Sequence, residues 1–154
     1  MLLCALATSA FSNAADGSNV RQSAKKRILI VLSAEDTWIR KDGSKYPTGY
    51  WAEEFVDIYD EFIAAGYIVD IATPGGKKPT ADPHSLDPKV VGKEKADRFA
   101  RSIAGIAKEL NAPLSLAKIS VREYDAIVVP GGHGPVIDLY KDKDMGKVLF
   151  AAEK

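Results

Sequence analysis

The sequence predicts an α/β fold: a doubly wound parallel sheet, present only in part, with about three strands and their flanking helices. Three observations lead there. Apolar runs rich in β-branched residues recur at 27–33, 67–73 and 124–130, as expected of strands buried on both faces of a parallel sheet. Between them lie stretches with the apolar spacing of helices. Each run gives way to a polar or Gly/Pro-rich loop, the place where such a sheet holds its ligands.

The elements follow in order. Arg27 to Ser33 is the first strand, and the polar stretch 34–47 after it carries an Asp42-Gly43 turn signal. A connection of this length is more often functional than a mere link. Thr48 is the expected N-cap of a helix from Gly49 to Ala65, in which Trp51, Phe55, Ile58 and Phe62 share one face. Gly66 ends it, and Tyr67 to Thr73 is the second strand, closed by Pro74-Gly75-Gly76. That makes a right-handed βαβ unit. Residues 77–91 form a Pro- and Asp-rich excursion. Lys93 to Leu110 reads as one amphipathic helix, followed after Asn111-Ala112-Pro113 by a short segment from Leu114 to Val121. Tyr124 to Pro130 is the third strand, and a last helix runs from about Asp144 to Lys154. Doubly wound sheets carry about five or six strands, so the domain reads as incomplete.

Composition narrows the function classes. With 154 residues, 46% hydrophobic and 27% charged, the chain suits one ordinary globular domain. Its 21 basic and 21 acidic side chains cancel, and the groups Lys25-Lys26-Arg27 and Lys77-Lys78 are short, so no nucleic-acid partner is expected. The only cysteine is Cys4, which excludes intramolecular disulfides, cysteine-based zinc clusters and CxxC chemistry. HExxH and DxDxDG are absent, as are GxGxxG and a Walker A lysine. No metal and no cofactor are therefore expected.

Residues 1–15, MLLCALATSAFSNAA, read as a cleavable export signal, with Ser12-Asn13-Ala14 or Asn13-Ala14-Ala15 before the cut. The usual basic residue after Met1 is missing. The segment is too short to span a bilayer, so no membrane span is expected and the chain is placed outside the cytoplasm, secreted or periplasmic. A buried first element and a cytoplasmic protein are the alternative. Residues 16–25 read as a linker, and the domain occupies residues 26–154.

Among side chains that could carry chemistry, Gly131-Gly132-His133-Gly134 gives the sharpest signal. Glycines directly after a strand permit positive φ and turn backbone N–H groups toward an anion or oxyanion. His133 could bind or move a proton in the same place. A tight strand-to-helix turn accounts for the pattern equally well. Glu53 and Glu54 lie in the first turns of the first helix, where acids commonly complement the helix dipole. At about 100° per residue Glu54 falls about 40° from Ile58, so it is the better placed of the two to lean toward the aromatic face and act as an acid/base. His84 reads as an exposed loop histidine, too far from His133 in sequence to form a motif with it. Glu35 and Asp36 read as solvated. Trp38 and Tyr46 could line a pocket or simply pin their loop.

The segments Thr48-Gly49-Tyr50-Trp51-Ala52-Glu53-Glu54-Phe55 and Ala64-Ala65-Gly66-Tyr67, then Ile71 to Gly76 and Tyr124 to Pro135, resemble the DJ-1/PfpI superfamily. Within it they are most similar to the glyoxalase III and heat-shock chaperone branch, also described as type 1 glutamine amidotransferase-like. The resemblance runs from about Lys26 to the C-terminus. It implies a flavodoxin-like sandwich, a homodimer and a small reactive carbonyl substrate such as methylglyoxal, converted to lactate without glutathione, or deglycase activity. It also implies that Glu54 is the acid/base, and that Gly131 and Gly132 line the oxyanion pocket with His133 in the same motif. The family's nucleophile is a cysteine on an elbow downstream of this loop. No Cys follows Cys4, and the expectation is a chain truncated before the nucleophile and inactive by itself. A non-catalytic chaperone-like or ligand-binding module of the same fold is the alternative.

Overall fold

The structure is a computed structural model that describes residues 25–154. The export segment at 1–15, and the linker at 16–25 apart from Lys25, lie outside the described residues.

At the centre stands β1 (Arg27–Val31), whose four residues Ile28 to Val31 are all buried. Two parallel neighbours flank it. β4 (Ile68–Thr73) pairs with it from Arg27↔Ile68 to Val31↔Ala72, and β6 (Ala126–Val128) from Ile28↔Ala126 to Ile30↔Val128. Successive β1 side chains point to opposite faces, and the core divides accordingly. Ile28 and Ile30 pack with Phe55 of α1 (Ala52–Ala64) and Phe99 of α3 (Lys93–Gly105). Leu29 and Val31 pack with Met145 and Val148 of α5 (Lys143–Ala152). Helices on both faces of a parallel sheet make this the doubly wound, flavodoxin-like α/β architecture.

The sheet has four strands rather than about three, in the order β5 (Leu114–Ser115), β4, β1, β6. The fourth, β5, is two residues long and pairs parallel with Ala72 and Thr73 at the end of β4. So short a strand has no periodicity to read. The stretch 34–47 also contains structure: β2 (Thr37–Ile39) and β3 (Lys45–Pro47) form an antiparallel hairpin.

Helix boundaries differ from the expected ones for identifiable reasons. α1 begins at Ala52, not Gly49, because Tyr50 and Trp51 are committed to strand-like bonds. Tyr50 bridges Ala81 in parallel, and the Trp51 amide donates to the Gly131 carbonyl at 2.8 Å. Thr48 is not its cap; the amide of Ala52 is satisfied by the hydroxyl of Ser85, at 3.0 Å. The excursion 77–91 contains a 3₁₀ turn over Pro83–Leu86 and the short helix α2 (Pro88–Val91). The long helix expected over 93–110 breaks at Ile106 (φ −111°, ψ 23°) into α3 and α4 (Ala107–Asn111). α5 is capped by Asp142, whose carboxylate accepts from the amides of Asp144 and Met145.

Candidate functional site

The loops that follow β1, β4 and β6 meet at the carboxyl end of the sheet, where the doubly wound topology puts its crevice. Glycines let them approach closely. Gly134 donates its amide to the Gly49 carbonyl at 3.0 Å, and a Cβ on Gly134 would stand 2.6 Å from Ser33 Oγ. Gly132 has φ 118°, and a Cβ there would meet Gly49 O at 2.6 Å and Trp51 N at 2.8 Å. The serine at the end of β1 is bound in turn: Ser33 Oγ donates to Asp138 at 2.9 Å, and Asp138 also accepts from Ala34 N at 2.8 Å.

Glu54 lies on the first turn of α1. It does not lean into the aromatic face; it is exposed and reaches the loop after β6, where the Gly131 amide donates to its Oε2 at 2.6 Å. The other side of the same glycine is held by Trp51, so Gly131 is gripped at N–H and C=O by the start of one helix. Its amide is thereby occupied. The amides of Gly132 and His133 have no hydrogen-bond partner among the described residues. The loop thus combines a carboxylate fixed at Gly131 with two following amides that are not spent on internal bonds, the kinds of group that hold a carbonyl oxygen and transfer a proton. Glu53, the neighbouring acid, is used differently, in an ion pair with Lys95 of α3.

His133 is about half exposed, and its Nδ1 lies 3.4 Å from Oδ2 of the fully buried Asp82. Asp82 is a hub that the sequence did not single out. It accepts from the Thr48 hydroxyl at 3.1 Å and from the His84 amide at 2.9 Å, which is why Thr48 is not available as a helix cap. The β2–β3 hairpin covers the histidines. Trp38 stacks on His133 (5.6 Å, 29°), and Tyr46 stacks on His84 (5.6 Å, 12°) while meeting His133 edge-on at 6.3 Å. His84 is exposed, as expected, yet it shares Tyr46 and Asp82 with His133. The two histidines, too far apart in sequence to form a motif, are thus brought together by the fold. Trp38 and Tyr46 do come to the site. Asp36 instead accepts from the Thr37 hydroxyl at 2.8 Å. The one available signal for Asp82 was its place before Pro83 and Ser85, the pattern of a residue capping a turn.

No helix among the described residues is long and apolar enough to cross a membrane.

A family model described as ThiJ/PfpI family-like matches residues 46–151. The chain is 30% identical over 139 residues to Protein/nucleic acid deglycase HchA of Escherichia coli, an alignment covering 84% of this chain and 46% of that protein. Among solved structures it is similar to the Rapid Encystment Protein 24 kDa of Francisella tularensis, with a TM-score of 0.65 and 26% identity over 82% of this chain and 53% of that one. It shares its fold with glyoxalase III of Candida albicans, with a TM-score of 0.65 and 23% identity over 83% and 52% of the two chains. The chain spans about half the length of these relatives.

Proposed function

The chain belongs to the ThiJ/PfpI family, and on that footing we propose that residues 26–154 are the N-terminal portion of a family domain and supply the acid/base half of a reactive-carbonyl site. The reaction is of the glyoxalase or deglycase type, in keeping with what the relatives are named for. The observation that carries this reading is Glu54, held by the Gly131 amide with the Gly132 and His133 amides open beside it.

The chemistry divides accordingly. A thiolate adds to the aldehyde carbon of a 2-oxoaldehyde, forming a C–S bond, and the oxyanion takes up a proton to give a hemithioacetal. Glu54 then takes the proton from that carbon and returns one to the adjacent carbon, leaving a thioester that water cleaves to the 2-hydroxy acid and the free thiol. The free amides of Gly132 and His133 stabilise the negative charge on oxygen as it moves. Cys4 is the sole cysteine of the 154 residues, and the thiol is not among residues 26–154. Alone, these residues do not complete the covalent step.

The charge balance argues against general nucleic-acid binding. It does not bear on a glycated base as substrate, which the name of the Escherichia coli relative includes. Export, with cleavage after Ala14 or Ala15, and a homodimer belong to the same proposal; an N-terminus retained at Met1 overturns the first, and a monomeric mass by light scattering the second. The second reading is a non-catalytic chaperone-like or ligand-binding module of the same fold.

The protein isolated from its native source tests the proposal through its intact mass and its yield of lactate from methylglyoxal. A product longer than 154 residues that loses activity at least about 100-fold on Glu54→Gln supports the acid/base role. A longer product indifferent to Glu54→Gln overturns it, and an inert product of these residues alone favours the non-catalytic module.

A further inference from the structure

Tyr50 borders a second concave site, lined by none of Glu54, Gly131, His133 or Asp82. Its ring packs edge-on against Phe55 at 5.1 Å, and the residue is 1% exposed. Its hydroxyl nevertheless has no hydrogen-bond partner among the described residues. No side-chain polar atom wholly sealed from solvent there lacks a partner, so the Tyr50 hydroxyl keeps a small opening to its surroundings. Tyr50 lines a groove of about 510 Å³ between the segment Lys78–Ala81 and helices α3 and α4. That volume lies within the roughly 300–1,000 Å³ usual for small-molecule sites.

The lining has a definite chemistry. Leu86, Ile103 and Leu110 and the alanines of α3 and α4 make it apolar. Ala100 and Ala104 sit one turn apart on α3 and leave room where larger side chains would close the groove. No acidic residue lines it, whereas Lys78 does, and Lys78 forms no ion pair among the described residues. Burial pushes the Tyr50 phenol above its ordinary range, which keeps its proton in place and the hydroxyl a donor. A buried donor and a free cation at an apolar groove together call for an anionic acceptor on a hydrocarbon body.

We propose that this groove binds an apolar monocarboxylate, its carboxylate engaging the Tyr50 hydroxyl and the Lys78 ammonium and its hydrocarbon lying along Leu86, Ile103 and Leu110. The site is separate from the carbonyl chemistry proposed for Glu54 and does not depend on it.

Octanoate titrated into the full chain, followed by calorimetry and amide NMR, tests this. Saturable binding is expected, with shifts concentrated at 78–81 and 100–111. Octan-1-ol, of the same length but uncharged, is expected to bind about tenfold more weakly because the charge-assisted bonds are lost. Lys78→Gln is expected to weaken octanoate by a similar factor and leave octan-1-ol unchanged, while Tyr50→Phe weakens both. Lys78 is exposed, so its variant keeps the fold and carries the test even where Tyr50→Phe does not fold. Absence of saturable binding, shifts located elsewhere, or equal octanoate affinity in Lys78→Gln overturns the proposal.

Discussion

The amide of Gly131 donates to the carboxylate of Glu54 at 2.6 Å, although 77 positions separate the two residues. The bond joins the loop after β6 to the first turn of α1 and converts an exposed, otherwise mobile carboxylate into a positioned one. Positioning of this kind is what proton transfer requires of a general acid/base.

The glycines around that bond are expected to differ sharply on substitution. The nearest atoms to a Cβ at Gly131 are those at the far end of the Glu54 side chain, the first at 2.7 Å, and that end can swing aside. Gly131→Ala should therefore cost under about 1 kcal/mol while displacing Glu54. Gly132→Ala should cost about 1–3 kcal/mol, because φ there is 118° and the new Cβ meets backbone of Gly49 and Trp51. Gly49→Ala should be worse still, its Cβ falling 1.9 Å from Thr80 O. Urea midpoints at constant m-value check the order; equal losses at Gly131 and Gly132 would contradict it.

Asp82 is the buried anchor of the His133 side of the site. Asp82→Ala strands the Thr48 hydroxyl and the His84 amide, and is expected to cost about 2–3 kcal/mol. Asp82→Asn retains one acceptor oxygen and should cost less. A crystal structure of the asparagine variant should show His133 still stacked on Trp38, whereas the alanine variant should lose the ordered imidazole.

Stability should fall at alkaline pH. Burial, and then the neighbouring Asp70 carboxylate, push the Tyr124 phenol up to about 12. Tyr50 and Tyr59 move in the same direction, again chiefly through burial. The folded state thus holds protons that the unfolded chain releases near pH 10, about the ordinary tyrosine value. Their stabilisation is complete below that value and is lost as pH rises through the folded values, up to about 12 for Tyr124. Urea midpoints should be level at neutral pH and decline above about pH 10, less steeply in Tyr124→Phe. A midpoint that rises over that range would contradict the assignment.

Much of the fold was legible because its signals are local. β1 is a self-contained apolar run buried on both faces, and the aromatic stripe of α1 together with the glycines after β4 and β6 marks the βαβ frame. What escaped depends on distant partners. Thr48 looks like a cap until the buried Asp82, 34 residues away, claims its hydroxyl. The break at Ile106 interrupts an apolar stripe that continues across it, and β5 exists as a strand only because β4 lies beside it. Glu54 was singled out by the resemblance; the lean toward the aromatic face that its wheel position suggested is not what the fold shows, and its Gly131 partner left no mark in the sequence. The pairing of His84 with His133 through Tyr46 is a product of topology alone.

The most direct test of the proposal that Glu54 serves a cysteine thiol lying outside residues 26–154 is lactate formation from methylglyoxal by the purified 154-residue chain. No lactate above the uncatalysed rate is expected, with Cys4→Ala giving the same result. Sustained turnover by the chain, retained in Cys4→Ala, would show that the covalent step needs no cysteine thiol and would contradict the mechanism proposed for Glu54.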